Sequence, residues 1–176
     1  MKTKSKALLL TLCAVLLVAA SVLGTMAYLT SSAEVKNTFT VGDINIDLTE
    51  TTADYKMVPG NTIAKDPTVT VKANSETCWL FVEVTESENL NNFITYTIAN
   101  GWTELESGVY YREVPASAAD QTFSVLAGNT VTVNNTVTKT MLETAKTDAP
   151  TLTFQAYAIQ KDHFTTADAA WAEVSK

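Results

Sequence analysis

The residue types that carry most enzyme chemistry are scarce in this chain. His163 is the single histidine among 176 residues, and its neighbours KDHFTT contain no nucleophile elbow. Zinc hydrolases use His and Glu or Asp ligands beside a glutamate base, and no HExxH motif is present. Glycine spacings typical of nucleotide-binding loops are also missing. We therefore interpret His163 as an ordinary loop residue and expect no catalytic residue, no bound metal and no cofactor.

Four acidic residues lie close together in the sequence: Asp43, Asp47, Glu50 and Asp54. They lack both the spacing and the glycine of an EF-hand loop. Scattered carboxylates of this kind leave a low-affinity calcium site as a minor alternative. An ordinary solvent-facing acidic surface accounts for them better.

Four aromatic residues are candidates for a sugar-stacking platform: Trp79, Trp102, Tyr110 and Tyr111. Two acids, Glu104 and Glu106, lie near them in the sequence. Glycoside hydrolysis needs a defined separation between two carboxyl groups, which spacing along the chain does not supply. Aromatic residues in strands also pack in cores more often than they form platforms. Because four aromatic residues are present, a monomeric surface module that binds glycan or protein stays as an alternative function.

The N-terminus carries the most explicit signal in the sequence. Residues 1–6, MKTKSK, hold three lysines, and residues 7–23 carry no charge. Thr25 and Ala27 then place small side chains at positions −3 and −1 before Tyr28. This pattern typifies a secretory signal peptide over residues 1–27, so we predict cleavage between Ala27 and Tyr28. Cleavage after Ala20 is one alternative. Retention as a membrane anchor is another, because the uncharged run of residues 7–23 is nearly as long as the about 20 apolar residues that span a bilayer.

Cleavage would leave 149 of the 176 residues, a size typical of one domain. The leader takes three lysines with it, so 9 Lys and Arg remain beside 19 Asp and Glu, a net charge of −10. An acidic surface repels nucleic acid and anionic lipid, so we expect no nucleic-acid partner and no membrane association after cleavage. Cys78 is the one cysteine left and lies in the apolar run TCWLFVEV. We predict a buried free thiol there, with an intermolecular disulfide as the alternative.

Short alternating segments rich in Thr and Val predict strands along the rest of the sequence. The predicted strands are Thr38–Leu48, PTVTVKA from Pro67, Cys78–Val84, Phe93–Ile98, Gly108–Val114, a strand from Phe123 to the turn at Gly128-Asn129, Thr130–Val133 and Leu152–Gln160. A phase slip at Gly42-Asp43 predicts a β-bulge in the first strand. Short helices are predicted at Thr138–Lys146 and after Thr165. Evenly spaced strands without a long helix indicate one all-β sandwich or barrel domain over residues 38–176.

The residues around the cleavage site resemble exported proteins of the TasA/camelysin family of Gram-positive bacteria. In that family the signal peptide ends in Gly-Thr, a bulky residue and Ala, followed by an aromatic residue. The matching residues here are Gly24, Thr25, Met26, Ala27 and Tyr28. NTFTVGDINIDL at Asn37–Leu48 resembles the family's first strand with its glycine, and Val58–Val84 resembles the turn and strands that follow. GVYYREV and TLTFQAYAIQ are similar to later parts of the family.

The resemblance implies a jelly-roll-like antiparallel β-sandwich with a few short peripheral helices. It also implies processing by a SipW-type signal peptidase, followed by secretion to the cell surface or the biofilm matrix. Partners would be further copies of the protein or a related fibre subunit. Some camelysin-like members are described as metallopeptidases, so a secreted metallopeptidase is an alternative to a non-enzymatic structural protein.

In fibre-forming members of the family, the mature N-terminal segment pairs with the next subunit as an added strand. The matching segment here is residues 28–37, which we expect to be a flexible N-terminal arm. Its candidate assembly residues, continuing to the first residue of the predicted domain, are Tyr28, Leu29, Val35 and Thr38.

The predicted cleavage site can be tested with Ala27→Lys. A signal peptidase requires a small residue at −1, so we expect this variant to accumulate unprocessed. Ala33→Lys, which makes the same change after the cut, should be processed normally. N-terminal sequencing of the secreted protein is the measurement, and a Tyr28 N-terminus in the Ala27→Lys variant would refute the site.

Overall fold

The computed structural model describes residues 43–51 and 56–176. The predicted signal peptide, the cleavage residues Thr25, Ala27 and Tyr28, and the arm with Leu29, Val35 and Thr38 lie outside the described residues. The predicted bulge at Gly42 and the acidic residue Asp54 lie outside them as well.

The described residues form ten strands and three short helices. The strands are β1 (Ile46–Thr49), β2 (Thr62–Ala64), β3 (Thr68–Val71), β4 (Cys78–Glu86), β5 (Ile94–Thr95), β6 (Thr103–Glu106), β7 (Val109–Val114), β8 (Gln121–Ser124), β9 (Thr130–Val133) and β10 (Leu152–Gln160). The helices are α1 (Leu90–Phe93), α2 (Lys139–Thr144) and α3 (Ala167–Val174), and 3₁₀ turns lie at Ala127–Asn129 and Lys161–His163.

The strands pair into three antiparallel sheets. Sheet A has the order β1-β3-β8, sheet B the order β2-β9-β5, and sheet C the order β10-β4-β7-β6. Strand β4 is central in sheet C and pairs over nine residues with β10, from Leu152 opposite Glu86 to Gln160 opposite Cys78. The sequence prediction of a mostly β fold with antiparallel sheets and a few short helices is confirmed.

Three apolar clusters hold these elements together. The first joins sheet A to sheet C and contains Val69, Val71, Cys78, Leu80, Val82, Val84, Val114 and Val125. The second lies around sheet B and contains Leu90, Phe93, Ile94, Leu126, Val131, Val133, Val137 and Ala145. The third lies between sheet C and α3 and contains Trp79, Phe81, Val109, Ala167 and Ala170. Burying a side chain the size of Leu80 or Phe81 contributes roughly 1.5–3 kcal/mol.

Two short helices have the caps that their sequences allow. The Thr138 hydroxyl accepts a hydrogen bond from Met141 N at the start of α2, as an N-cap residue does. The Thr166 hydroxyl accepts from Ala169 N at the start of α3. The cap of α3 is therefore Thr166, and the helix lies after Thr165 as the sequence predicted.

The predicted strand Phe93–Ile98 is wrong for most of its length. Leu90 and Phe93 are three residues apart and both are buried, so the backbone forms the turn of helix α1 there. Only Ile94–Thr95 pairs as β5, and Ile98 makes an isolated bridge to Leu126. Strands β2 and β6 were not predicted. Strand β6, TELE, has two glutamates, and glutamate is depleted in strands.

Gly108, in the turn between β6 and β7, is expected to tolerate no side chain. Its φ is +81°, and a Cβ atom there would lie 2.8 Å from the Val84 carbonyl oxygen. Gly108→Ala should therefore lower the free energy of unfolding by about 3 kcal/mol through strain and overlap. Gly128→Ala is the control, because Gly128 has φ +65° but its nearest atom would be a side-chain oxygen at 3.6 Å. We expect a loss of about 1 kcal/mol for that control in urea titrations, and equal losses would contradict the overlap.

Candidate functional site

The outer edge of β10 is the candidate functional site. Strand β10 lies at one end of sheet C and, among the described residues, pairs with β4 alone. Its nine residues, LTFQAYAIQ, include no charged residue and no proline. Proteins normally protect edge strands with short length, charge, proline, bulges or a covering element. The β10 sequence has none of the first four. Strand β1 lies beside the first residues of β10, across a cavity, and no described strand pairs with the outer row of β10 backbone groups, which makes this row a candidate for pairing with another strand.

Side chains on both faces of β10 hold the strand in place. Leu152, Phe154, Ala156 and Ala158 pack against the first cluster. On the opposite face, Tyr157 and Ile159 pack against the third cluster, and the Tyr157 ring lies 5.5 Å from the Trp171 ring of α3. Because alternate residues are anchored on opposite faces, the edge is a rigid template rather than a loose segment.

A cavity of about 300 Å³ lies beside the first residues of β10. It is lined by Leu48, Thr49, Glu50, Pro67, Leu152, Thr153 and Phe154, so it has walls from both β1 and β10. Leu48 is 37% exposed, which is unusual for a large apolar residue among the described residues. The cavity therefore gives the β10 edge a neighbouring space of mixed apolar and polar lining that an added side chain could fill.

Glu50, which lines this cavity, forms an ion pair with Lys65. The Lys65 ammonium lies 2.7 Å from the Glu50 carboxylate and 5.4 Å from the centroid of the Phe154 ring. Lys65 is only 8% exposed. A buried lysine must have its charge balanced, so this pair ties the end of β2 to the segment that follows β1.

The other described sheet edges are short, charged or covered. Strand β6 carries Glu104 and Glu106, and its register shifts between them. In β8, the Ser124 carbonyl accepts a hydrogen bond from Trp102 Nε1 at 2.9 Å. Strands β2 and β5 contain three and two residues. The β10 edge thus differs from the other described edges in both length and composition.

The aromatic candidates for a sugar platform do not come together. Trp79 and Tyr111 meet with ring centroids 5.8 Å apart on the face of sheet C that α3 covers, and Trp79 is only 9% exposed. Trp102 and Tyr110 pack against the first cluster, on the opposite face. Tyr110 and Tyr111 are consecutive in a strand, so their side chains must point to opposite faces.

The two candidate acids beside those aromatic residues, Glu104 and Glu106, make different contacts. Glu106 accepts a hydrogen bond from Trp171 Nε1 at 2.6 Å, which ties β6 to α3. Glu104 lies opposite Tyr110; burial raises the pKa of the Tyr110 hydroxyl, and the negative charge of Glu104 raises it further. The pair therefore supports packing around β6 and does not face a shared cleft with the four rings.

The remaining candidates are distributed over the surface. His163 is exposed in the 3₁₀ turn after β10. Asp47 pairs with Lys72 at 2.8 Å, and Glu50 pairs with Lys65. Across residues 43–51 and 56–176, no group of three or more His, Cys, Asp or Glu side chains is placed to hold a metal ion. Within the same ranges, no helix has the length and apolar character needed to cross a membrane.

Comparisons of the sequence and fold with protein-family models, with curated proteins and with solved structures found no match. The resemblance to the TasA/camelysin family thus rests on the sequence motifs at the cleavage site and in the strands, and family membership stays a prediction.

The Cys78 thiol should be inert in the native protein. Cys78 is fully buried, and burial raises the pKa of its thiol from 9.0 to about 11. Because the folded-state pKa is raised, the stabilising contribution of this group is present below pH 9 and is lost as the pH rises towards 11. We expect a thiol reagent to label native residues 28–176 at mildly alkaline pH only as fast as the protein unfolds, and urea to speed labelling. Complete labelling of the folded protein within the mixing time would contradict the burial.

Proposed function

We propose that the mature protein, residues 28–176, is a secreted structural protein of the cell surface or biofilm matrix of a Gram-positive bacterium. In this proposal it is a fibre subunit that assembles by β-strand addition. The observation that carries the proposal is the long, uncharged β10 edge, which has no second partner among the described residues. Export is supported by the signal-peptide pattern that ends at Ala27.

We infer further that the sheets form a jelly-roll-like β-sandwich. Support comes from the first cluster, where Val69 and Val71 of sheet A share one core with Leu80 and Val82 of sheet C. Alternate residues of the facing strands fill such a core when two sheets pack face to face. In this arrangement β1 and β10 lie on the same side of the sandwich, at either side of the cavity.

The donor strand in this proposal is the arm of a second copy, residues 28–37. Leu29 and Val35 have the same parity, so in an extended conformation both would face the same side. Main-chain hydrogen bonds to β10 would supply affinity, and an apolar side chain placed in the cavity near Leu48 and Phe154 would set the register. Tyr28 begins the segment, and Thr38 is the first residue of the predicted domain after it.

Such a contact builds a fibre by geometry alone. The donor segment and the acceptor edge are different surfaces of one molecule, so each copy can receive one arm and give another. A heterologous contact of this kind does not close on itself unless the rotation between copies happens to close a ring. The resemblance implies a SipW-type signal peptidase as partner before assembly, and further copies or a related fibre subunit afterwards. The metallopeptidase alternative is supported by the resemblance alone, and its test is zinc-dependent cleavage of casein.

Deletion of Tyr28–Asn37 should abolish fibres and leave the fold intact. Negative-stain electron microscopy of concentrated, mildly acidified residues 28–176 gives the reference, and circular dichroism of the deletion variant checks its fold. Fibres that form equally well without the arm would refute the arm as donor.

A second variant tests the acceptor edge. Thr153→Lys combined with Gln155→Lys places charge on exposed positions of β10, and lysine on an edge strand opposes pairing. Thr122→Lys on β8 is the control, since it adds one lysine at another exposed strand position. We expect fibres from the control and none from the β10 variant. Equal fibre formation by both variants would show that the β10 edge is not the acceptor.

A further inference from the structure

The turn before β6 contains the only Asn-Gly pair of the sequence, Asn100-Gly101. Both residues are exposed, and Gly101 has φ +90°. Neither the Asn100 amide group nor Gly101 N–H has a hydrogen-bond partner among the described residues. The backbone nitrogen of Gly101 is therefore not occupied, and residue 101 carries no side chain that would hinder its approach to Asn100.

These features allow a known type of backbone reaction. Gly101 N, once it has lost its proton to water or hydroxide, attacks Asn100 Cγ and forms a C–N bond. The Cγ–Nδ2 bond of Asn100 breaks, and the nitrogen leaves as ammonia with a proton from solvent. Water then opens the resulting succinimide at one of its two carbonyl carbons. The products are aspartate or isoaspartate at position 100, and no redox partner is needed.

Arg112 brings a positive charge to this turn. It is the only arginine of the sequence, and a Cβ atom on Gly101 would lie 3.1 Å from its Nη2. The guanidinium carbon lies 3.9 Å from the centroid of the Phe123 ring and 5.3 Å from that of Trp102. The two rings hold the guanidinium in place beside the backbone of Gly101.

The charge of Arg112 is not neutralised within the described part of the protein. Five lysines there make ion pairs with carboxylates within 4.0 Å, whereas Arg112 makes none. Its Nε is buried without a hydrogen-bond partner. A partly desolvated cation interacts more strongly with nearby negative charge than a hydrated one does.

We propose that Asn100 is a site of spontaneous deamidation in the native protein, and that Arg112 accelerates the reaction. The guanidinium stabilises the negative charge that develops on Gly101 N and on the Asn100 side-chain oxygen as the ring closes. The product carries a new carboxylate beside an arginine that has no other acidic partner among the described residues. This inference does not rest on the proposed fibre function and holds for a monomer as well.

Peptide mapping by mass spectrometry tests the site after incubation of residues 28–176 at neutral pH. We expect Asn100 to convert faster in the folded protein than in a synthetic peptide spanning residues 97–104. Asn135, which is exposed but is followed by Thr136, is the control within the same protein and should stay intact. Asn100→Gln should remove the reaction at this turn, because the longer side chain disfavours ring closure.

Two measurements test the role of Arg112. Arg112→Gln should slow conversion about tenfold, while Arg112→Lys should keep most of the rate, because the effect depends on charge. If Arg112→Gln does not fold, added salt takes its place: screening should slow conversion in the wild-type protein and leave the peptide rate unchanged. An intact Asn100 in the protein beside a converted peptide would overturn the site. Equal rates in wild type and Arg112→Gln, or no effect of salt, would overturn the role of Arg112.

Discussion

The structure depends most on one strand that is apolar on both faces. Residues Cys78–Val82 of β4 are all buried. Leu80 and Val82 point into the first cluster, and Trp79 and Phe81 point into the third. A strand of this kind is stable only if both of its faces are covered. Sheet A covers one face and α3 covers the other, so the requirement of β4 for two covers sets the layers around sheet C.

The same requirement explains why β10 differs from other edge strands. As the neighbour of β4, β10 must continue both apolar layers, and its alternating side chains therefore pack on both faces. Over residues 156–159, charged residues, the usual protection of an edge, would have to sit in one of those two layers, whereas Thr153 and Gln155 are exposed and uncharged. On the far side of the sheet, β7 has β6 as a partner, and β6 carries glutamates because less of it is buried. Packing therefore accounts for the absence of charge over residues 156–159, and it places no such requirement on Thr153 and Gln155.

The sequence alone predicted those strands whose side chains carry the main apolar layers. The predicted limits of Leu152–Gln160 and Thr130–Val133 coincide with β10 and β9, and Cys78–Val84 falls within β4. Strands β2 and β6 escaped prediction because neither has a fully buried residue, so their apolar patterns are weak. Strand β2 also pairs with β9, which is distant in the sequence. The prediction of a strand at Phe93–Ile98 was wrong because the same six residues also fit the end of a helical turn followed by a short strand. The position of β10 at the edge of sheet C depends on the order of the strands, and the local pattern of residues does not predict that order.

The separation of the aromatic residues, by contrast, follows from the sequence. Tyr110 and Tyr111 are neighbours in a predicted strand, and a strand sends consecutive side chains to opposite faces. The alternation of side chains along a strand is therefore enough by itself to place Tyr110 and Tyr111 on different faces of the sheet, so they cannot belong to one sugar-binding platform. Arg112 is two residues from Tyr110 and shares its face, which places it against Phe123 of sheet A. A single strand thus contributes Tyr111 to one layer and an arginine to the rim of the other.

Solubility and assembly make opposite demands on the β10 edge. The predicted mature protein has a net charge of −10, but none of its acidic residues lies in β10. Repulsion between copies acts over distances up to the Debye length, about 8 Å at physiological ionic strength, and is spread over the acidic surface. Main-chain pairing acts only at contact, where two uncharged segments would meet. Repulsion can therefore slow random encounters between copies without weakening the contact itself, so an acidic surface and an uncharged edge are compatible within one protein.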